Sequence, residues 1–246
     1  MSGPAAAEAA AFSSDNLTTV ESVLGIVRRP RSTFEALVRR PRSAVLLALL
    51  FVVPFAASAA FFSTEVGRQA LVDQWENTAL AFGQPVDDAR YEEFRRLSSR
   101  GVGYAAVTAL ASGPLAAIVL ALVLHGWFSV WRRRPASFRQ ALAVVAGASV
   151  VLVVRQLVAA PLNYARETTA GAVTLGRLVT IVDQASPIAR FLSLIDLFVV
   201  WWLIVLAIGA AVLYRLRTRD VAVLFAGIYI AAAAVLAGVM AMLGGV

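Results

Sequence analysis

The chain contains no cysteine and no lysine, and it has a single histidine, His125. Without cysteine there are no disulfides and no thiol chemistry, and redox compartment leaves no mark on the sequence. One histidine excludes a multi-histidine metal site. Charge is scarce: 15% of the residues are charged against 60% hydrophobic, the balance of a polytopic membrane protein. There is no phosphate loop, no nucleophile elbow, no metal-ligand cluster and no dinucleotide fingerprint. We therefore expect a protein that is not an enzyme, with no cofactor and no metal. Matching halves are also missing, which argues against a transporter built on inverted repeats.

What the chain has in abundance is long apolar runs. The clearest is residues 191–219, FLSLIDLFVVWWLIVLAIGAAVLYRLRTR, which holds one acid, Asp196, before it stops in Arg215, Arg217 and Arg219. A soluble helix has to present a polar face to water, and this run has none. A hydrocarbon core about 30 Å thick needs roughly 20 apolar residues to cross it. The run is therefore a membrane span, and its arginines mark a cytoplasmic end.

Four more spans follow the same design. We expect them at about 44–62, 101–128, 140–162 and 221–243, with the first run crossing at 191–214. Pro54 lies inside the first, and Gly113-Pro114 marks a kink in the second. Trp127, Phe128 and Trp131 read as an aromatic belt. The fold class is thus all-α, a membrane domain over 44–246 with five transmembrane helices.

Residues 1–19 are small, polar and slightly acidic, and read as a disordered tail without the basic start and apolar core of a signal peptide. Residues 20–43 form a cytoplasmic or interfacial amphipathic segment. Val20, Val23, Leu24 and Val27 share one helical face, Pro30 ends that helix, and residues 32–38 make a second short turn closed by Pro41. The segment carries Arg28, Arg29, Arg31, Arg39, Arg40 and Arg42, placed to meet lipid headgroups or a docked partner. Between the first two spans, residues 64–100 are highly charged and broken at Gly83-Gln84-Pro85, which predicts a helical hairpin. Val66, Ala70, Leu71 and Trp75 share a face of its first helix. Leu175, Leu178, Val179 and Val182 predict an amphipathic helix in the loop before the fourth span.

Five spans put the two termini on opposite sides. The segments 20–43, 132–139 and 215–219 then share one side and carry thirteen arginines over short lengths. The positive-inside rule assigns that side to the cytoplasm, with the N-terminus inside, and the C-terminus and the hairpin outside. The net charge of +7 is therefore a matter of topology and lipid contact, and no nucleic-acid partner is expected.

Ionisable residues inside a bilayer are costly, so each is a functional candidate. Arg155 lies roughly 22 Å along the third span and Asp196 roughly 8 Å into the fourth from the other side. Both then sit in the outer leaflet, so we expect them to face each other, with Gln156 and Asn163 nearby. The arrangement could be a helix-to-helix clamp or a polar site for an ion, a proton or a lipid headgroup. His125 reads as a hydrogen-bonded helix-end residue beside Trp127. Gly209-Ala210-Ala211 and a second surface through Gly227 and residues 231–234 predict that spans four and five pack as a hairpin.

The pattern Pro30-x-x-x-Phe34-x-x-Leu37-x-x-x-Pro41 ahead of a span resembles the lead-in segment of bacterial members of the Yip family, the Ypt-interacting proteins. Asp196-Leu197-Phe198 with Trp201, Trp202 and Gly209 resembles that family's fourth-span signature. The resemblance covers about residues 20–243. It implies a five-helix membrane domain in a bacterial cytoplasmic membrane, and an arginine-only, alanine-rich composition suits a GC-rich bacterial genome. Eukaryotic members associate with Rab-type GTPases through cytoplasmic tails. This chain's tail is short and lacks their glycine-tyrosine and Asp-Leu-Tyr-Gly-Pro motifs, so that role is not carried over. The resulting expectation is a non-enzymatic scaffold or membrane-organising factor. Its partners would be the lipid bilayer and either a second copy or another membrane protein. The rival expectation is a small permease or lipid-handling protein that uses the Arg155 and Asp196 region.

Overall fold

A computed structural model describes residues 19–165 and 195–243. Residues 1–18 of the expected tail, the amphipathic helix expected over 175–182 and the opening of the fourth span at 191–194 lie outside the described residues. All the regular elements described are helices, and five of the helical segments are long and apolar enough to cross a membrane.

The lead-in segment forms two helices, α1 (Thr19–Arg28) and α2 (Pro30–Arg39). The sequence reading had Pro30 ending a helix and a single turn following it. Instead Pro30 begins α2, where its missing N–H is one that a helix start leaves unbonded anyway. The first span is α3 (Ser43–Phe62), with Pro54 inside it. The charged stretch is a helical hairpin of α4 (Glu65–Ala81) and α5 (Asp88–Ser98). Thr64 caps α4 by accepting from the Gly67 N–H, and Asp87 caps α5 by accepting from the Arg90 N–H. Gly83 turns the chain between them at φ 70°, which glycine adopts without a Cβ clash.

The second span, Gly101–Trp131, is not a uniform α-helix. It runs as α6 (Gly101–Leu110), a π turn at Ala111–Leu115, α7 (Ala116–Leu124) and a second π turn at His125–Trp131. Pro114 lies in the first π turn, where the missing proline N–H is absorbed by a wider turn. Gly113 there sits so close to the first span that a Cβ on it would meet the Leu50 carbonyl oxygen at 2.3 Å. The third span is α8 (Phe138–Ala148) and α9 (Val150–Ala165), and a capping box of Ser137 and Gln140 opens it. The fourth is α10 (Leu197–Tyr214) and the fifth lies within α11 (Thr218–Leu243).

Span three is the most buried of the five, and residues 143–151 are buried all round. Apolar side chains gain little by leaving lipid for one another, so helices in a bilayer associate through close packing. Span three supplies that with Ala141, Ala143, Ala146, Gly147 and Ala148. Spans one, two and four pack around it, and span five packs on span four. The outer sides of spans two and five expose large apolar residues such as Val119, Leu122, Ile228 and Val235, the surface that acyl chains would cover.

Two expectations change here. The apolar face expected on α1 is not the face that packs: Leu24 and Val27 are exposed, while Ile26 and Ser22 are buried. The close α1–α2 hairpin decides this, since a Cβ on Gly25 would strike Thr33 Oγ1 at 2.5 Å. Spans four and five do pack together, but not through Gly227, which faces open space. Val221, Phe225 and Ala233 are the buried residues of span five, and Gly209 is filled from elsewhere. A Cβ on Gly209 would meet Val144 Cγ1 at 2.7 Å and the Phe34 ring at 3.1 Å. Gly147 faces Leu37, Phe34 and Ile26. The two glycines thus make room for α2, which wedges a fully buried Phe34 between spans three and four.

Candidate functional site

Arg155 projects from α9, and Asp196 stands immediately before Leu197, the first residue of α10. Arg155 Nε donates to Asp196 Oδ2 at 2.7 Å. The other carboxylate oxygen, Oδ1, accepts from the Phe198 N–H at 2.8 Å and, more weakly, from the Val199 N–H at 3.4 Å. The Asp196 N–H donates to the Tyr229 hydroxyl of α11 at 3.3 Å. Spans three, four and five therefore meet at one residue. Asp196 is buried, whereas about a third of the Arg155 side chain is exposed.

The carboxylate is not inside the helix, as the sequence reading had it, but at its N-cap. Helix starts favour this placement for two reasons: the first N–H groups need acceptors, and the macrodipole is positive there. An acid directly before an apolar run is itself a helix-start signal. The arrangement supplies each charge with a partner. Desolvating two charges costs several kcal/mol apiece, so leaving either alone would be costly.

The other expected members of the site do not join it. Gln156 turns toward the first span, where Nε2 donates a long bond of 3.5 Å to Ser58 Oγ. The Asn163 side chain lies outside the described residues. Arg28, Arg29, Arg31, Arg39, Arg40 and Arg42 are all exposed, and Arg31 pairs with Glu35 at 3.5 Å. Phe128, expected in the aromatic belt, is buried and stacks on Tyr214 with centroids 4.7 Å apart, while Trp127 and Trp131 stay exposed. The belt residue is drawn inward because the π turn rotates that stretch of helix. Among the described residues, His125 Nδ1 and Ser129 Oγ are buried without a hydrogen-bond partner, contrary to the expected bonded His125. The His125 ring instead stands edge-on to Phe138.

Sequence reading missed three interhelical bonds. Trp202 Nε1 donates to Ser149 Oγ at 3.3 Å, at the join of α8 and α9. The Tyr214 hydroxyl donates to the Leu124 carbonyl at 3.4 Å, and Gln140 Nε2 donates to the Val38 carbonyl at 3.0 Å. The available signal was chemical: a tryptophan or tyrosine inside a membrane domain needs a partner for its polar end. It could not name the partner. Among the described residues no three His, Asp or Glu side chains are grouped to hold a metal ion. A separate apolar groove of about 600 Å³ lies between α7, α10 and α11, walled by Trp127, Trp202, Leu206, Phe225 and Tyr229.

A family model described as the Yip1 domain matches residues 24–240. No curated protein and no solved structure matches the chain.

Proposed function

The chain belongs to the Yip1 domain family, and on that premise we propose that it is a non-enzymatic scaffold or organising factor of a bacterial cytoplasmic membrane. The observation that carries this reading is the saturation of Asp196: both of its carboxylate oxygens are spent on Arg155 and on the start of α10. A carboxylate so occupied is suited to clamping helices together, not to meeting a transported ion. Arg155 and Asp196 are then clamp residues, and Gln156 and Asn163 are not part of a transport site. The arginine-rich end faces the cytoplasm, so the exposed Arg28, Arg29 and Arg31 present the docking surface for a second copy or another membrane protein.

The test is affinity capture from native-like nanodiscs, scored for proteins and for bound lipids. We expect a reproducible protein partner or second copy that is lost on replacing Arg28, Arg29 and Arg31 and kept in Asp196→Asn. A second reading, lipid handling, draws on the apolar groove between α7, α10 and α11. A retained lipid or small molecule without a protein partner, and lost in Asp196→Asn, would replace the scaffold reading with this one.

A further inference from the structure

At the arginine-rich end a second cavity opens, of about 500 Å³. Its walls come from three segments far apart in sequence: Glu35 and Arg39 of α2, Arg134 of the loop before α8, and Tyr214 and Arg215 at the end of α10. Gln140 closes it from α8, held in place by its bond to the Val38 carbonyl. Arginines at span ends usually only set topology. Here Arg132, Arg217 and Arg219 serve that purpose equally well, yet they do not line the cavity. The three that do line it have no carboxylate partner among the described residues. Glu35, the one acid in the wall, is already engaged by Arg31.

The backbone adds a second, independent observation. Among the described residues, Arg133 and Arg215 are the two non-glycine residues with positive φ, at 51° and 54°. One immediately precedes the pocket's Arg134 and the other lines the pocket. Glycine is the usual residue for such a helix end, so strain is held where arginine is placed.

We infer that this pocket binds a phosphate-bearing anion, from a lipid headgroup or a free phosphate compound. Three arginines against one glutamate leave two positive charges in excess. The end of α10 offsets that by about half an elementary charge, which is too little to reverse the sign. The planar guanidinium fork matches phosphate oxygens in pairs, and a set built only of arginine favours phosphate over a simple halide. This inference does not depend on the scaffold reading, because it uses other residues and another readout.

The test uses the full chain in nanodiscs of phosphatidylcholine, with or without phosphatidylglycerol. Native mass spectrometry counts retained phosphatidylglycerol, and calorimetry follows pyrophosphate binding in discs of phosphatidylcholine alone. Arg39→Gln with Arg134→Gln removes two of the three arginines and leaves the α10 cap intact. We expect wild type to bind at least one probe and this variant to bind it about ten-fold more weakly or less. A charge-matched control, Arg96→Gln with Arg100→Gln at the opposite end, should bind as wild type does. Phosphatidylglycerol retained against excess pyrophosphate identifies a lipid headgroup as the source, and pyrophosphate binding without anionic lipid identifies a free phosphate. Wild type binding neither probe overturns the inference. So does equal binding by wild type and the Arg39, Arg134 variant.

Discussion

Asp196 serves two elements with two oxygens, one for Arg155 and one for the start of α10. Asp196→Asn keeps an acceptor for the cap but strips Arg155 of its counter-charge. We expect a loss of about 2–3 kcal/mol, below the usual range for breaking a buried pair because Arg155 can still reach toward the interface. Adding Arg155→Met should restore more than half of that loss, as read from denaturation midpoints in mixed micelles. An unchanged midpoint in the single variant would remove the clamp. Two glycines make a second comparison at this scale. Gly113→Ala drives a Cβ into the Leu50 carbonyl and should cost about 2 kcal/mol or more. Gly227→Ala meets open space and should be neutral or stabilising by up to about 1 kcal/mol. Thermal unfolding of the two variants side by side separates a packing glycine from a merely small residue, a distinction that the letter G in the sequence does not make.

At the scale of elements, α2 is the least expected part of the fold. Its sequence reads as a surface turn rich in arginine, and its arginines are indeed exposed. Its apolar stripe is not laid on lipid, however: Phe34 and Leu37 are buried against Gly147 and Gly209. Phe34→Ala should therefore cost about 3 kcal/mol or more, the range for an aromatic truncated in a packed site. Leu24→Ala on the neighbouring α1 should cost little, since Leu24 is exposed. Equal effects would return the lead-in segment to the interface. The stripe was legible and its destination was not, because an amphipathic helix offers the same pattern to a bilayer surface and to a groove between helices. The second span shows a related limit. Gly113-Pro114 marked a disturbance, but only the structure shows that a π turn absorbs it and that another π turn carries Phe128 inward.

For the molecule as a whole, the testable claim is orientation. The chain has no cysteine, so single cysteines can be introduced without a background. A cysteine at Ser137 should be labelled by a membrane-impermeant reagent only after the cytoplasmic side is opened. One at Gly83, in the hairpin turn, should be labelled in intact cells. The reverse pattern would invert the proposed topology. The number of spans and their approximate limits were fixed by the sequence alone, because bilayer thickness and the need to bond every backbone group act on contiguous stretches of chain. The same reasoning placed Arg155 and Asp196 at one depth, and the structure joins them at 2.7 Å. Which side of each span faces its neighbours was decided only by the tertiary structure. So were the capping position of Asp196, the wedge of α2 and the convergence of Arg39, Arg134 and Arg215 on one pocket. A helix that is apolar all round carries no periodicity to mark its buried face, and residues a hundred positions apart meet only when close packing selects one arrangement of the spans.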